Sequence, residues 1–139
     1  MIQRIQTLWL ALSFLAGILT LKFSFFSGNK TDNAGAVTWQ ELTAVNNLFI
    51  LFLSVAVAVI AVMAIFLYKN RKLQLRLTLL ALAFSLINIA LYHNETRKFT
   101  QGNYDLTAIV ALSIPILLVL ASRGIYKDEK LIKSADRLR

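Results

Sequence analysis

At 139 residues, 58% of them apolar, and with a mean hydropathy of +0.64, the chain is too apolar for a soluble domain and too short to hold a second core beside its apolar stretches. Its formal charge of +8 is gathered at one set of connections, which points to an anionic membrane surface and away from nucleic acid. There is no cysteine, so disulfides, thiolate metal sites and thiol catalysis are excluded.

Four apolar stretches follow in chain order, about 5–26, 48–68, 73–92 and 106–121, leaving a polar tail over 122–139. Each is near the ~20 residues that cross a bilayer as a helix. The first opens with Arg4 and carries no further charge until Lys22, a run longer than the hydrophobic part of a secretory leader. It reads as a retained first span, with Lys22 close enough to its end to reach water. A segment rich in turn formers follows, Ser27–Val37, and is expected to be a loop. Thr38-Trp39-Gln40-Glu41 has the spacing of a capping box, so the second helix is expected to begin near Trp39 and stand above the membrane before entering it.

Lys69-Asn70-Arg71-Lys72 is a connection of four residues, with Asn70 expected to end the second helix in the left-handed conformation. So short a link makes spans two and three antiparallel neighbours. Small residues at Ser54, Ala58 and Ala61 and at Ala81 and Ser85 favour close packing of these spans, and Asn88 is placed to hydrogen-bond between helices. Span three is short between Arg76 and His93, so Leu73 and Leu75 count as membrane-level residues and Arg76 snorkels to the headgroups. His93, Glu95 and Asp105 carry groups able to bind metal or move protons, but their spacing matches no metal motif and they read as a solvated loop. Span four contains Pro115, expected to kink it, with Ser113 near the disturbed backbone.

Gly124 then reads as a helix C-cap and Asp128 as the N-cap of a separate short helix over 128–139. Leu131, Ala135 and Leu138 fall on one face of that helix, with Lys130, Lys133 and Arg137 around it. A cut after Tyr126 is expected to leave the four spans intact.

The fold class that emerges is an all-α membrane protein. It is one four-helix antiparallel bundle over 1–139 with a short amphipathic cytoplasmic C-terminal helix. Its orientation follows from charge. If successive spans cross, one side collects eleven Lys and Arg against three acids, and the other has four against four. Lys and Arg accumulate in cytoplasmic loops, which places both termini in the cytoplasm.

The opening Met1-Ile2-Gln3-Arg4-Ile5-Gln6-Thr7 and the closing stretch from Asp128 to Arg139 resemble those of a bacterial domain-of-unknown-function family of small four-span inner-membrane proteins. The resemblance implies a bacterial inner-membrane location and carries no activity with it. It draws attention to the cytoplasmic face, where both motifs lie.

No catalytic, cofactor or metal motif is present, so the expected function is non-enzymatic: an accessory or scaffold subunit. Its expected partners are the bilayer, anionic lipid headgroups or a membrane-protein partner, and its expected contact residues are Lys130, Leu131, Lys133, Arg137 and Leu138. The alternative is a small transporter or channel component, which would have to work without an acid inside the apolar stretches.

Overall fold

The computed structural model describes residues 2–31 and 35–136. Four helices make up most of it: α1 (Ile2–Lys22), α2 (Leu48–Phe66), α3 (Arg71–Thr96) and α4 (Ala108–Asp136). All four are long and apolar enough to cross a membrane, the pattern of a multi-pass membrane protein. They pack in ring order, α1 on α2, α2 on α3, α3 on α4 and α4 back on α1. Only about a third of the residues of Leu48–Phe66 are buried within the protein. Leu48, Phe49, Phe52 and Phe66, each more than 70% exposed, would cost roughly 1.5–3 kcal/mol apiece in water. In hydrocarbon that cost vanishes.

The interior follows from small residues. Ala58, Ala61 and Ala64 on α2 and Ala81 on α3 are buried, and a Cβ built on Gly17 would stand 3.4 Å from the Ala58 Cβ. Helices that meet over such residues approach closely, which is how apolar helices associate where lipid is as apolar as leucine. Leu10, Val57, Ile114 and Leu118 fill the space around them. Ser54 and Ser85 are buried as their spacing suggested.

The α1–α2 and α3–α4 connections depart from expectation. A three-stranded antiparallel sheet caps one end of the ring, with β1 (Phe26–Thr31), β2 (Val37–Leu42) and β3 (Gln101–Tyr104) in the order β2-β1-β3. Of the expected loop over Ser27–Val37, residues 27–31 and Val37 are therefore strand. The expected capping box at Thr38–Glu41 is also overturned: Thr38 pairs with Lys30, Trp39 with Asn29 and Glu41 with Ser27. Helix α2 begins at Leu48, nine residues later, where the Asn47 side chain accepts the Phe49 amide at 3.0 Å. Strand β1 wins these residues because its backbone is satisfied on both edges, by β2 and by β3. Phe25 and Phe26 anchor the sheet on the ring. Phe25 stacks on Tyr92 at 4.5 Å between centroids, and Phe26 meets Phe99 and Tyr104 edge-on, both at 5.2 Å.

Three further expectations change. Asn70 does not end α2 in a left-handed turn; at φ −108° it caps α3, accepting the Leu73 amide at 3.3 Å. His93 and Glu95 belong to the last turn of α3 and not to a loop. Helix α4 continues through Pro115, Gly124 and Asp128 to Asp136, so no separate C-terminal helix forms. Gly124 is not a cap. It is the place where α4 lets the Gln6 side chain in, since a Cβ there would stand 2.7 Å from the Gln6 Cγ.

Candidate functional site

Two polar clusters are buried in the helix ring, one toward each end. Toward the sheet, Asn88 on α3 donates through Nδ2 to the Ser54 hydroxyl of α2 at 2.8 Å, and Tyr92 lies beside them. This is the interhelical role that the position of Asn88 suggested. The cluster encloses a void of about 10 Å³, also lined by Thr20 and Ser85, which is room for a single water. The Asn88 Oδ1 has no protein partner there. Thr20 and Ser85 return their hydroxyls to the carbonyls of Gly17 and Leu82, so the cluster is mostly self-satisfied.

At the sheet itself, the three residues flagged for their chemistry are engaged separately. Glu95 accepts from Asn47 at 2.9 Å and from Lys98 at 2.7 Å, Asp105 accepts the Ser27 hydroxyl at 2.6 Å, and His93 lies 3.1 Å from the Tyr104 hydroxyl. They tie α2, α3 and the strands together. No group of three or more His, Cys, Asp and Glu placed to hold a metal occurs among the described residues. Lys22 is exposed at the end of α1, as its position suggested.

The opposite end is built differently, because the starts of α1 and α3 and the last third of α4 meet there. Arg71 opens α3 with its side chain 10% exposed. Its Nη1 donates to Gln6 Oε1 of α1 at 3.1 Å and lies 3.3 Å from Asp128 Oδ2 of α4. Asp128 is therefore not a cap; its carboxylate is buried against a guanidinium. A buried pair of this kind repays its desolvation only when further hydrogen bonds support it, and Gln6 supplies one. Gln74, one turn along α3, donates through Nε2 to the Ala64 carbonyl of α2 at 2.9 Å. All four helices are thus tied through one polar knot.

The knot is incompletely satisfied. Gln6 and Gln74 are each 2% exposed, yet Gln6 Nε2 and Gln74 Oε1 have no protein partner. A half-open recess of about 470 Å³ lies beside them, walled by Gln6, Arg71 and Gln74 and by Ile65, Phe66 and Tyr68. A second recess of about 430 Å³ lies across Arg71, bordered by Lys69, Lys72, Glu129 and Ile132.

A model described as a domain of unknown function, DUF4293, matches residues 2–138. The chain belongs to the DUF4293 family. No curated protein and no solved structure matches it. Membership in DUF4293 therefore agrees with the resemblance read from the two termini, and family membership assigns no activity.

Of the five residues expected to make contacts, three stand on the last part of α4. Lys130 and Leu131 are exposed, Leu131 by 50%. Lys133 lies on α4, while Arg137 and Leu138 lie outside the described residues. The residues that sequence reasoning missed are Gln6, Arg71, Gln74 and Asp128. One signal was available: glutamines at positions 6 and 74 sit among apolar residues with helical spacing, and a glutamine on such a face needs a partner.

Proposed function

We infer that this DUF4293 protein is a non-enzymatic accessory or scaffold subunit of a bacterial inner membrane, working through a basic cytoplasmic face. On this reading the four helices form an antiparallel transmembrane bundle with both termini in the cytoplasm. The sheet caps the outer side and the Arg71 knot lies at the inner one. The observation that carries the reading is how little room the polar cluster of Ser54 and Asn88 encloses within the apolar part of the ring: its void holds one water. A conduit needs a polar path or an ionisable group at mid-membrane, and a platform needs neither. The basic excess supports the same assignment, since Lys69, Lys72, Arg123, Lys127 and Lys130 lie toward the knot end of the helices.

The test replaces Lys130, Lys133 and Arg137 together with glutamine in the full chain. Each basic group near an anionic leaflet contributes about 1 kcal/mol, so the variant should dock a few kcal/mol more weakly on its partner or on anionic vesicles while keeping its expression and fold. A variant that keeps its co-purifying partners and its cellular role would remove the basic face as the working surface. The transporter alternative rests on the Ser54–Asn88–Tyr92 cluster. It would gain if Asn88→Ala abolished a transport activity at unchanged expression.

A further inference from the structure

We propose that a recess between the end of α3 and the start of α4 is a binding site for an aminophospholipid, a zwitterion with a primary ammonium beside its phosphate. The recess is half-open, about 490 Å³ in volume, and lies at the sheet end of the ring. That volume falls in the range of small-molecule sites, ~300–1,000 Å³. Phe25 and Ala108 are its buried lining, and three polar side chains join them: His93, Tyr104 and Asp105. All three keep accessible surface, Tyr104 55% of it, so a group seated in the recess can reach them.

These side chains offer two acceptors and one donor, whichever tautomer His93 adopts. His93 Nδ1 lies 3.1 Å from the Tyr104 hydroxyl. If the phenol donates to Nδ1, Nε2 carries a hydrogen and the phenol oxygen keeps a lone pair. If Nδ1 donates, the phenol hydrogen is free and Nε2 accepts. Either way the pair keeps one donor and one acceptor for a ligand. Asp105 adds the second acceptor and a negative charge, the one formal charge among the residues that line the recess. Ser27 donates to its Oδ2 at 2.6 Å, which leaves Oδ1 to accept. A primary ammonium suits a carboxylate and a neutral acceptor together, and the phosphate next to it takes the donor. The groups are held in place before a ligand arrives, which lowers the cost of binding. The Tyr104 ring meets Phe25 and Phe26 edge-on, at 5.7 and 5.2 Å between centroids, and the Asp105 amide donates to the Phe25 carbonyl at 3.2 Å.

The remaining walls choose a lipid over a soluble amine. Ile89 lies one turn before His93 on α3, and Ile109 and Leu112 are a turn apart on α4. Ile109 and Ile116 are both more than 60% exposed, so residues 109, 112 and 116 form an apolar stripe that leads from the recess along the helix. A headgroup held by Asp105 and Tyr104 has its acyl chain against that stripe. The carboxylate also repels an anionic headgroup, which sets this recess apart from the basic end of the helices. The site requires only that the helices cross a membrane; it depends neither on which end faces the cytoplasm nor on the docking role of the C-terminal end.

The experiment is native mass spectrometry of the full chain from a non-ionic detergent, loaded with phosphatidylethanolamine or with phosphatidylcholine of the same acyl chains. The two share a phosphate and a positive charge, but the choline nitrogen has no N–H to donate. The wild type should retain phosphatidylethanolamine about tenfold more than phosphatidylcholine. Asp105→Asn, which still accepts from Ser27 but loses the charge, should bring the two lipids close to equal. Tyr104→Phe, which keeps the ring on Phe25 and Phe26, should cut the preference about threefold. Equal retention of the two lipids by the wild type would overturn the site. An unchanged preference in either variant would do the same, and Tyr104→Phe decides if Asp105→Asn does not fold. Competition by glycerophosphoethanolamine, the headgroup without acyl chains, at equal concentration would overturn the lipid assignment. The variant with Lys130, Lys133 and Arg137 neutralised should retain phosphatidylethanolamine like the wild type; loss there would move the binding to the basic face.

Discussion

Asp128 shows how differently one residue reads alone and in place. In the sequence it precedes a polar stretch with helical spacing, and N-cap is the ordinary role for aspartate there. In the structure it is 7% exposed and its carboxylate faces Arg71, fifty-seven positions away. Removing one partner of such a pair strands the other, at about 3–5 kcal/mol, whereas replacing both with apolar groups of like volume is close to neutral. Asp128→Ala should therefore lower thermal stability in detergent markedly, and the double change Arg71→Leu with Asp128→Leu should restore most of it. Equal stability of the two would mean that the pair contributes no net interaction. The same logic bears on a cut after Tyr126. That cut removes Asp128 and leaves Arg71 buried without its carboxylate, so it should lower the stability of the ring even if insertion is spared.

At the scale of elements, the sheet was the least legible part of the chain. Its central strand reads Phe-Ser-Gly-Asn-Lys-Thr, without alternation and with several turn formers, so no period-two pattern announces it. What holds it is pairing on both edges, a tertiary property. Gly28 faces Gly102 across the β1–β3 pair, and a Cβ on Gly102 would stand 2.6 Å from the Phe26 ring and 2.8 Å from the Gly28 Cα. Gly102→Val should then cost roughly 1–3 kcal/mol by forcing the strands apart. Hydrogen exchange should report it as faster exchange over residues 26–31 and 37–42 with the helices little changed, and unchanged protection there would show that β3 does not support β1. The capping box was misread for a related reason. Thr38 and Glu41 have the side chains of a helix start, but Leu42 is needed at the sheet, where its carbonyl accepts the Phe25 amide at 2.8 Å. Asn47 caps α2 instead and also reaches Glu95, at 2.9 Å.

For the whole molecule, the question is which end faces which compartment. The knot end gathers basic residues, so it should be cytoplasmic. A chain without cysteine allows a clean measurement, because each introduced thiol is the only one. Lys98→Cys, at the sheet end, should react with a membrane-impermeant maleimide on intact cells. Lys72→Cys and Lys130→Cys should react only after permeabilisation. The reverse pattern would invert the topology, and labelling of all three on intact cells would mean that a span does not cross.

Local composition set the number and approximate extent of the apolar helices, because about twenty consecutive apolar residues have one stable solution in lipid. It also marked the small residues on α2 and α3 and the bonding role of Asn88, since these act through helical spacing alone. The tertiary structure decided the rest. A strand such as Phe26–Thr31 exists only where two partners come from segments distant in sequence, and no local pattern encodes their arrival. Helix α4 runs on past Gly124 because Gln6 packs there and Asp128 is met by Arg71. Gln6, Arg71, Gln74 and Asp128 become one cluster only when four helix faces meet. Long-range pairing sets the partners of buried polar groups, and the partners decide whether a side chain is a cap, a surface charge or part of a site.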